Sequence, residues 1–350
     1  MLVSITALVI YIGDATFIIL SMGNIIAFLF EKYIVMTSFK NYLSLVKFSH
    51  TIFAMPFALI GFFLGYQNQQ TAFSVIPGWH VKIFLEEDNI SDFYKKYPSS
   101  PLIIKFFLVV FCMIFARSAA MAFNRYLDRK FDAKNPRTAI REIPAGVISE
   151  KNALYFTILM SVLFVVCTYF VNNICFYLSP VALFVVLFYS YTKRFTYLCH
   201  LVLGVGLSLA PIGAYLAVTG VFAWLPILFS IAVVCWVSGF DIIFALQDEA
   251  FDKENNLYSI PAVMGKVLAL HISELLHFIA TVAIIYAGIY GNFNYLYVLG
   301  TLVFCGMLVY QHLIVKPNDL SKVNIAFMTA NGIASVVFGV FVILDMILLG

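Results

Sequence analysis

Long apolar runs separated by short polar connections dominate this chain of 350 residues. Most runs are close to the roughly 20 residues that an α-helix needs to cross the hydrocarbon core of a bilayer, and they lack the alternation of barrel strands. The pattern therefore predicts about ten membrane-spanning helices. Their approximate bounds are 2–30, 43–66, 102–123, 153–171, 175–191, 198–218, 222–244, 267–290, 296–315 and 325–349.

The composition supports the same architecture. Hydrophobic residues make up 63% of the chain and charged residues only 11%, whereas soluble domains carry about 25% charged residues. Because lipid offers no hydrogen-bond partner to the backbone, continuous apolar runs have to cross a membrane as helices. We therefore expect an all-α, polytopic membrane helical bundle in contact with the lipid bilayer.

Basic residues are concentrated in two connections, after the third and after the fifth apolar run. By the positive-inside rule these connections face the cytoplasm, which predicts an integral protein of the bacterial inner membrane with this end inside. The small net charge of +3 gives no indication of a nucleic-acid partner. The residues concerned are Arg125, Arg129, Lys130, Lys134, Arg137, Arg141, Lys151, Lys193 and Arg194.

Two segments stand apart from this pattern. Residues 1–35 are predicted to form an extra N-terminal transmembrane helix, which is either dispensable or the product of a mis-assigned start codon. The second explanation arises because "MTSFKNYLSLVKFSH", from Met36, has the polar and basic character of a natural start. Residues 36–350 would then form the functional bundle, and the polar stretch 67–100 is predicted to be an external loop.

The first of two acidic motifs follows the third apolar run. In "NRYLDRKFD", the residues Asn124, Asp128 and Asp132 are spaced by four. If the helix continues beyond the apolar run, these three side chains lie on one face and advance by about 40° per step.

The second acidic motif, "DIIFALQDEAFD", ends the seventh run. Asp241, Asp248 and Asp252 are spaced by seven and four, so a continuous helix would return them to within roughly 20° of one line. Counting the runs places both motifs on the same side of the membrane. We therefore expect two carboxylate faces to meet across a cavity.

A competing interpretation is that these carboxylates are solvated at helix ends and pair with nearby Arg and Lys at little energetic consequence. It accounts poorly for their concentration, because six of the 18 acidic residues fall in the two windows. Asp241 also lies at or inside the predicted membrane boundary, where an ionisable group is costly and marks a functional candidate. The six are Asp128, Asp132, Asp241, Asp248, Glu249 and Asp252.

Clustered carboxylates repel one another unless a cation neutralises them. Oxygen ligands without His or Cys at metal spacing favour Mg²⁺ over Zn²⁺, and Mg²⁺ commonly shares its ligands with substrate phosphates. A diphosphate between the motifs would fit this pattern, with Arg137, Arg141 and Lys193 as its basic partners. Topology and lipid-headgroup contacts suffice to explain five further basic residues, Arg125, Arg129, Lys130, Lys134 and Arg194.

These motifs resemble the NxxxDxxxD and DxxxxxxDxxxD motifs of the UbiA superfamily of intramembrane aromatic prenyltransferases. The segment "YSYTKRFT" resembles the basic loop after that family's fourth helix. The resemblance extends over 36–350 and implies a UbiA-like core of nine helices plus the extra N-terminal helix. It also implies transfer of a polyprenyl group from polyprenyl diphosphate to an aromatic hydroxy-acid acceptor.

The same resemblance implies roles for individual residues. Two Mg²⁺ ions would bind, one at Asp128 and Asp132 with help from Asn124, the other at Asp248 and Asp252. Asp241 would line the cavity as a metal-side or proton-accepting carboxylate. The diphosphate would bind to Arg137, Arg141 and Lys193, and Ser49 and His50 are candidates for contact with the acceptor, although an interfacial polar pair explains them as well.

The acceptor depends on the branch of the superfamily. "RTAIREIPAG" and "LGVGLSLAPIGAYLAVTG" are similar to the branch of 4-hydroxybenzoate polyprenyltransferases, which includes the enzyme of the futalosine route to menaquinone. We expect 1,4-dihydroxy-6-naphthoate as the acceptor, with 4-hydroxybenzoate, for ubiquinone, as the alternative. Branches that make haem or archaeal-type lipid intermediates stay open, and the non-enzymatic alternative is a proton- or ion-coupled transporter.

Overall fold

The computed structural model describes residues 39–46, 53–71 and 102–350, which are almost entirely helical. Within these ranges there is no β-strand, and Lys316 and Asp319 form an isolated bridge. The helices are α1 (Phe39–Leu45), α2 (Met55–Thr71), α3 (Leu102–Asp132), α4 (Glu150–Val171), α5 (Asn173–Thr192), α6 (Cys199–Thr219), α7 (Trp224–Ala245), α8 (Glu249–Glu254), α9 (Ile260–Tyr290), α10 (Tyr295–Ile314) and α11 (Asn331–Leu348). A 3₁₀ turn (Leu246–Asp248) joins α7 to α8, and a π-helical turn (Ile325–Ala330) leads into α11.

Eight helices in the described part of the chain are long and apolar enough to cross a membrane, with α7–α8 and the π turn with α11 each taken as one. The prediction of an all-α, polytopic bundle is therefore confirmed. Short connections make successive helices antiparallel, so their ends alternate between the two ends of the bundle. We call the end where α3, α5 and α7 finish, and where α4, α6 and α9 begin, the acidic end.

Some predicted bounds were wrong. The single run expected at 43–66 is two helices, α1 and α2, and α2 continues through Thr71 into the stretch assigned to the external loop. Helix α9, by contrast, starts with a short turn at Ile260, where the Ser259 side chain accepts a hydrogen bond from the Ala262 N–H, and its backbone is kinked at Gly265 (φ 80°, ψ 165°). The uninterrupted part of α9 therefore starts just after Gly265, close to the predicted bound of 267. Ser49, His50, the N-terminal segment 1–35 and most of the predicted loop lie outside the described residues.

Helix α7 is central to the packing. Its Trp236 is fully buried and contacts the rings of Phe57, Phe304 and Phe240 from the interior of the bundle. The indole N–H donates a hydrogen bond of 2.9 Å to Asn331 at the start of α11. In lipid, close packing and hydrogen bonds of this kind hold helices together, because burial of apolar surface alone gives little preference over contact with lipid tails.

Glycines set the closest helix approaches. A Cβ atom at Gly61 of α2 would lie 2.0 Å from the carbonyl oxygen of Pro211 in α6. At Gly204 of α6 the nearest atoms, on Ser238 and Val234 of α7, would be 2.5 Å away. Helix α6 thus packs closely against both α2 and α7, and these contacts fix its position relative to the acidic end.

We expect Gly61→Ala to lower the melting temperature of the detergent-solubilised protein. Backbone atoms leave no room for the methyl group, and overpacking of this kind costs about 1–3 kcal/mol, more than the roughly 1 kcal/mol that alanine gains over glycine in a helix. Gly213→Ala is the matched control, because a Cβ atom there meets nothing within 4 Å. Equal melting temperatures for the two variants would contradict the close approach of α2 and α6.

Candidate active site

Four motif aspartates at the acidic end each contact one basic side chain. The partners come from the connections between helices, so each ion pair ties a loop to a motif. Only the Asp132 pair is local in sequence. The pairs are Asp128 with Arg194 at 2.7 Å, Asp132 with Arg141 at 2.6 Å, Asp252 with Lys193 at 2.8 Å, and Asp248 with Arg137, whose Nε also donates to Oδ1 at 3.1 Å.

The first motif has the predicted geometry. Helix α3 continues without a break to Asp132, and the amide of Asn124 donates to Asp128 Oδ2 at 3.1 Å across one helical turn. Asp132 is buried at the helix end and receives a hydrogen bond from Arg141 through Oδ1. Its other oxygen, Oδ2, is buried with no hydrogen-bond partner among the described residues.

The second motif departs from the single helical line that the spacing predicted. Helix α7 ends at Ala245, and a 3₁₀ turn follows in which Asp248 leaves helical geometry, with φ −101° and ψ 2°. A 3₁₀ turn winds more tightly than an α-helix, so the α-helical register is lost after Ala245, between Asp241 and Asp248. Asp241 thus stays on α7, while Asp252 lies on the short helix α8.

Asp252, which pairs with Lys193, is the most buried of the four carboxylates. The Asp252 side chain is fully buried, and the Ser259 hydroxyl donates to its Oδ2 at 2.9 Å. Although burial of Lys193 lowers its pKa, the adjacent Asp252 carboxylate more than offsets this and raises the pKa above the usual value. Lys193 therefore stays charged throughout the physiological pH range. The Tyr258 N–H also donates to the Lys193 carbonyl at 2.7 Å, which links the two connections.

Asp241 has a different kind of partner. Its Oδ2 lies 2.7 Å from Nδ1 of His200, in the first turn of α6. The carboxylate is about a quarter exposed, whereas His200 is buried. Asp241 is thus held by an imidazole, unlike the aspartates that pair with lysine or arginine.

Sequence reasoning missed several residues at this end. Arg194 was assigned to topology and headgroup contacts, yet it contacts Asp128, and Asn135 donates to Asp248 at 3.2 Å. Arg125 was assigned in the same way, but it is buried. Arg117 was not considered, although it is a charged residue inside an apolar run and precedes Asn124 by seven, which returns it to the same helix face.

Three other basic residues on or near α3 agree with their assignment to topology and lipid-headgroup contacts. Arg129 pairs with Glu150 at 2.8 Å, and Lys130 and Lys134 are exposed. They lie where contacts with solvent or lipid headgroups are available.

The donor set fits Mg²⁺ that shares its ligands with a phosphate. In the ranges that the structure covers, no three His, Cys, Asp or Glu side chains converge to hold a metal unaided. Mg²⁺ is usually bound by one or two carboxylates together with water and substrate phosphates. The unpartnered oxygen of Asp132 and the Asn124–Asp128 pair offer such oxygen ligands.

Comparison with known proteins identifies the family. Residues 93–333 match the UbiA prenyltransferase family. A 4-hydroxybenzoate octaprenyltransferase of Aliivibrio salmonicida is 33% identical over 263 residues, which cover 73% of this chain and 86% of the relative.

Solved structures agree with this assignment. The apo structure of a UbiA homolog from Aeropyrum pernix K1 has a TM-score of 0.69 at 25% identity, covering 85% of this chain and 98% of that one. A UbiA homolog from Archaeoglobus fulgidus bound to DMAPP and Mg²⁺ shares the fold, with a TM-score of 0.58 at 18% identity over 88% of this chain and all of that one. The chain belongs to the UbiA prenyltransferase family and is an integral membrane prenyltransferase.

Proposed function

We propose that this protein transfers a polyprenyl group from polyprenyl diphosphate to the ring of 4-hydroxybenzoate in a Mg²⁺-dependent reaction. The observation that carries the proposal is the set of four ion pairs between motif aspartates and loop cations at the acidic end. The relative from Aliivibrio salmonicida supports 4-hydroxybenzoate as the acceptor. It favours this alternative over the expected 1,4-dihydroxy-6-naphthoate.

The paired charges suit a diphosphate leaving group. Asp128 and Asp132, assisted by Asn124, would hold one Mg²⁺, and Asp248 and Asp252 the other. When bound, Mg²⁺ supplies electrostatic stabilisation of the negative charge that develops on the departing diphosphate. Bound Mg²⁺ would also compensate the negative charge of the carboxylates, in place of their Arg and Lys partners.

The basic side chains released in this way can bind the diphosphate of the substrate. The cations each contact a carboxylate oxygen, and phosphate oxygens make equivalent charge-assisted hydrogen bonds. They are Arg137, Arg141, Lys193 and Arg194. Exchange of one oxyanion for another keeps each of these partly buried cations compensated. The basic residues thereby bind the diphosphate and orient its allylic carbon towards the bundle interior.

Arg117 supports an acceptor that carries a carboxylate. It lies two turns before Asn124 on the same face of α3, roughly 10 Å deeper in the bundle at 1.5 Å per residue. Its Nε is buried and has no hydrogen-bond partner in the described ranges. A guanidinium in such surroundings favours a planar carboxylate, which it can bind through two parallel hydrogen bonds. Both candidate acceptors have this group.

The acceptor ring would then lie between Arg117 and the diphosphate site. The allylic C–O bond breaks with its electron pair on the diphosphate, and an electron pair of the ring forms the new C–C bond. The apolar bundle excludes water, which would otherwise capture the allylic cation. Family membership and the position of the carboxylates at one end of the bundle favour this chemistry over ion-coupled transport.

The first test is an assay of purified membranes with radiolabelled polyprenyl diphosphate and Mg²⁺. 4-Hydroxybenzoate and 1,4-dihydroxy-6-naphthoate are offered in separate reactions, with and without EDTA. We expect labelled product from 4-hydroxybenzoate and its loss with EDTA, because the diphosphate then lacks its counter-ions. Product from the naphthoate alone would overturn the acceptor, and product that survives EDTA would overturn the metal requirement.

We expect Asp128→Asn and Asp248→Asn each to lower turnover by at least about 10²-fold, since each removes a charge that holds the diphosphate's counter-ion. Asp319→Asn is the matched control, because this carboxylate is exposed and its hydrogen bonds go to Ser321. Gel filtration and melting temperature check that the variants fold. Full activity in either motif variant would refute the two-metal assignment.

Arg117→Met tests the acceptor site. Loss of a hydrogen bond to a charged group costs about 1.5–3 kcal/mol, so the KM for 4-hydroxybenzoate should rise roughly tenfold to hundredfold while the KM for polyprenyl diphosphate stays constant. Lys151→Met removes an exposed cation from the start of α4 and serves as the control. A change in the diphosphate KM instead would place Arg117 in the other half of the site.

A further inference from the structure

His200 makes hydrogen bonds through both ring nitrogens. Nδ1 lies 2.7 Å from Oδ2 of Asp241, and Nε2 lies 3.3 Å from the backbone nitrogen of Ile260. A backbone N–H can only donate, so Nε2 accepts this bond and carries no proton. The proton of the neutral ring is therefore on Nδ1, where it is donated to Asp241. The two contacts together select one tautomer and one orientation of the imidazole.

Three helices immobilise this ring. His200 is on α6, Asp241 on α7 and Ile260 in the first turn of α9. One turn beyond His200, Gly204 brings α6 and α7 into near contact, because a Cβ atom there would lie 2.5 Å from Ser238 Oγ. That hydroxyl is also 3.1 Å from the His200 carbonyl oxygen. The ring thus has little freedom to rotate or withdraw.

The same contacts connect Asp241 to the diphosphate site. Ser259, next to Ile260 in the chain, donates to the buried carboxylate of Asp252. A continuous path of neighbouring groups therefore leads from Asp241 through His200 and the start of α9 to the second acidic motif. Any shift of His200 would move Asp241 relative to Asp252.

The surroundings of Asp241 suit a group that accepts a proton. Within the described chain, His200 is the side chain that hydrogen-bonds this carboxylate, and it occupies Oδ2. The carboxylate is about a quarter exposed, so it is accessible to a molecule outside the packed helices. A carboxylate fixed through one oxygen presents the lone pairs of the other in a defined direction.

We propose that His200 is a positioning residue that directs Asp241 to accept the proton lost by the aromatic acceptor, an inference that rests on the proposed function. The leaving diphosphate takes the electron pair of the allylic C–O bond, and a ring electron pair forms the C–C bond. The electron pair of the C–H bond at the attacked carbon then returns to the ring, and its proton passes to Asp241. His200 keeps its Nδ1 proton throughout and stabilises the carboxylate before the transfer.

The test compares wild type, His200→Ala, His200→Asn and Asp241→Asn, on 4-hydroxybenzoate with hydrogen or deuterium at the two ring carbons beside the hydroxyl. Removal of a general base costs about 10²–10⁴-fold. We expect His200→Ala to lower kcat at least about tenfold, leave the KM for polyprenyl diphosphate unchanged and show a larger deuterium isotope effect than wild type. The larger effect arises because proton removal has become slower.

His200→Asn should recover much of the rate, since its amide N–H can donate to Asp241 from near the Nδ1 position. His271→Asn is the matched control, because this histidine of α9 is exposed, and it should behave as wild type. A slow His200→Ala enzyme with the wild-type isotope effect and no rescue by asparagine would show a structural role only and overturn the proposal.

A second readout separates failure of this inference from failure of the proposed function. The wild-type rate alone tests 4-hydroxybenzoate as acceptor, and if the naphthoate is used instead, the variant ratios are measured with it. Independently of any substrate, the ¹⁵N chemical shifts of the His200 ring in detergent should show a proton on Nδ1 in wild type, and this preference should weaken in Asp241→Asn. A proton on Nε2 in the wild-type protein would refute the proposed orientation.

Discussion

Charge compensation at the end of an apolar bundle is the constraint on which this structure depends. Asp252 is fully buried, and a buried carboxylate without a counter-charge would be strongly destabilising. Lys193 and Ser259 provide that compensation for Asp252, and arginines do so for the other three motif aspartates. The connections between helices therefore fold onto the acidic end, because their cations are needed there.

In the proposed function, the same compensation prepares the site for its substrate. Positive charges are arranged around four carboxylates, so binding of a diphosphate would require little reorganisation of polar groups. The apolar part of the bundle begins directly beyond them, with Trp236 and the phenylalanines around it. A reacting cation formed at this boundary would meet charge on one side and aromatic surface on the other.

Much of the fold follows from the sequence because length and hydropathy are local properties. The geometry of the first motif was equally predictable, since Asn124 and Asp128 are neighbours on any continuous helix. The bend after Ala245 was not, because the 3₁₀ turn there depends on tertiary contacts such as those of Asp248 with Arg137 and Asn135. No local pattern signals such a turn within an otherwise helical motif.

The basic partners of Asp128 and Asp241 were not predicted, because they are distant from these aspartates in the sequence. Arg194 resembled an ordinary topology signal, and His200 was a lone polar residue in an apolar run. Their roles appear only when α5, α6 and α7 pack together. The proposed acceptor site at Arg117, likewise, depends on tertiary packing around that residue, which the two motifs do not specify.

The sequence separation of the ion pairs has a consequence for biosynthesis. Asp132 and Arg141 are nine residues apart and can pair as soon as the connection after α3 has left the ribosome. Asp128 cannot pair until Arg194 has been made, 66 residues later. Arg137 cannot pair until Asp248 has been synthesised, 111 residues later. Since chains emerge from the N-terminus at a finite rate, the nascent protein carries unmatched charges at the membrane surface until α8 is made. The acidic end is thus completed only once α8 has been made, while α9, α10 and α11 are still to follow.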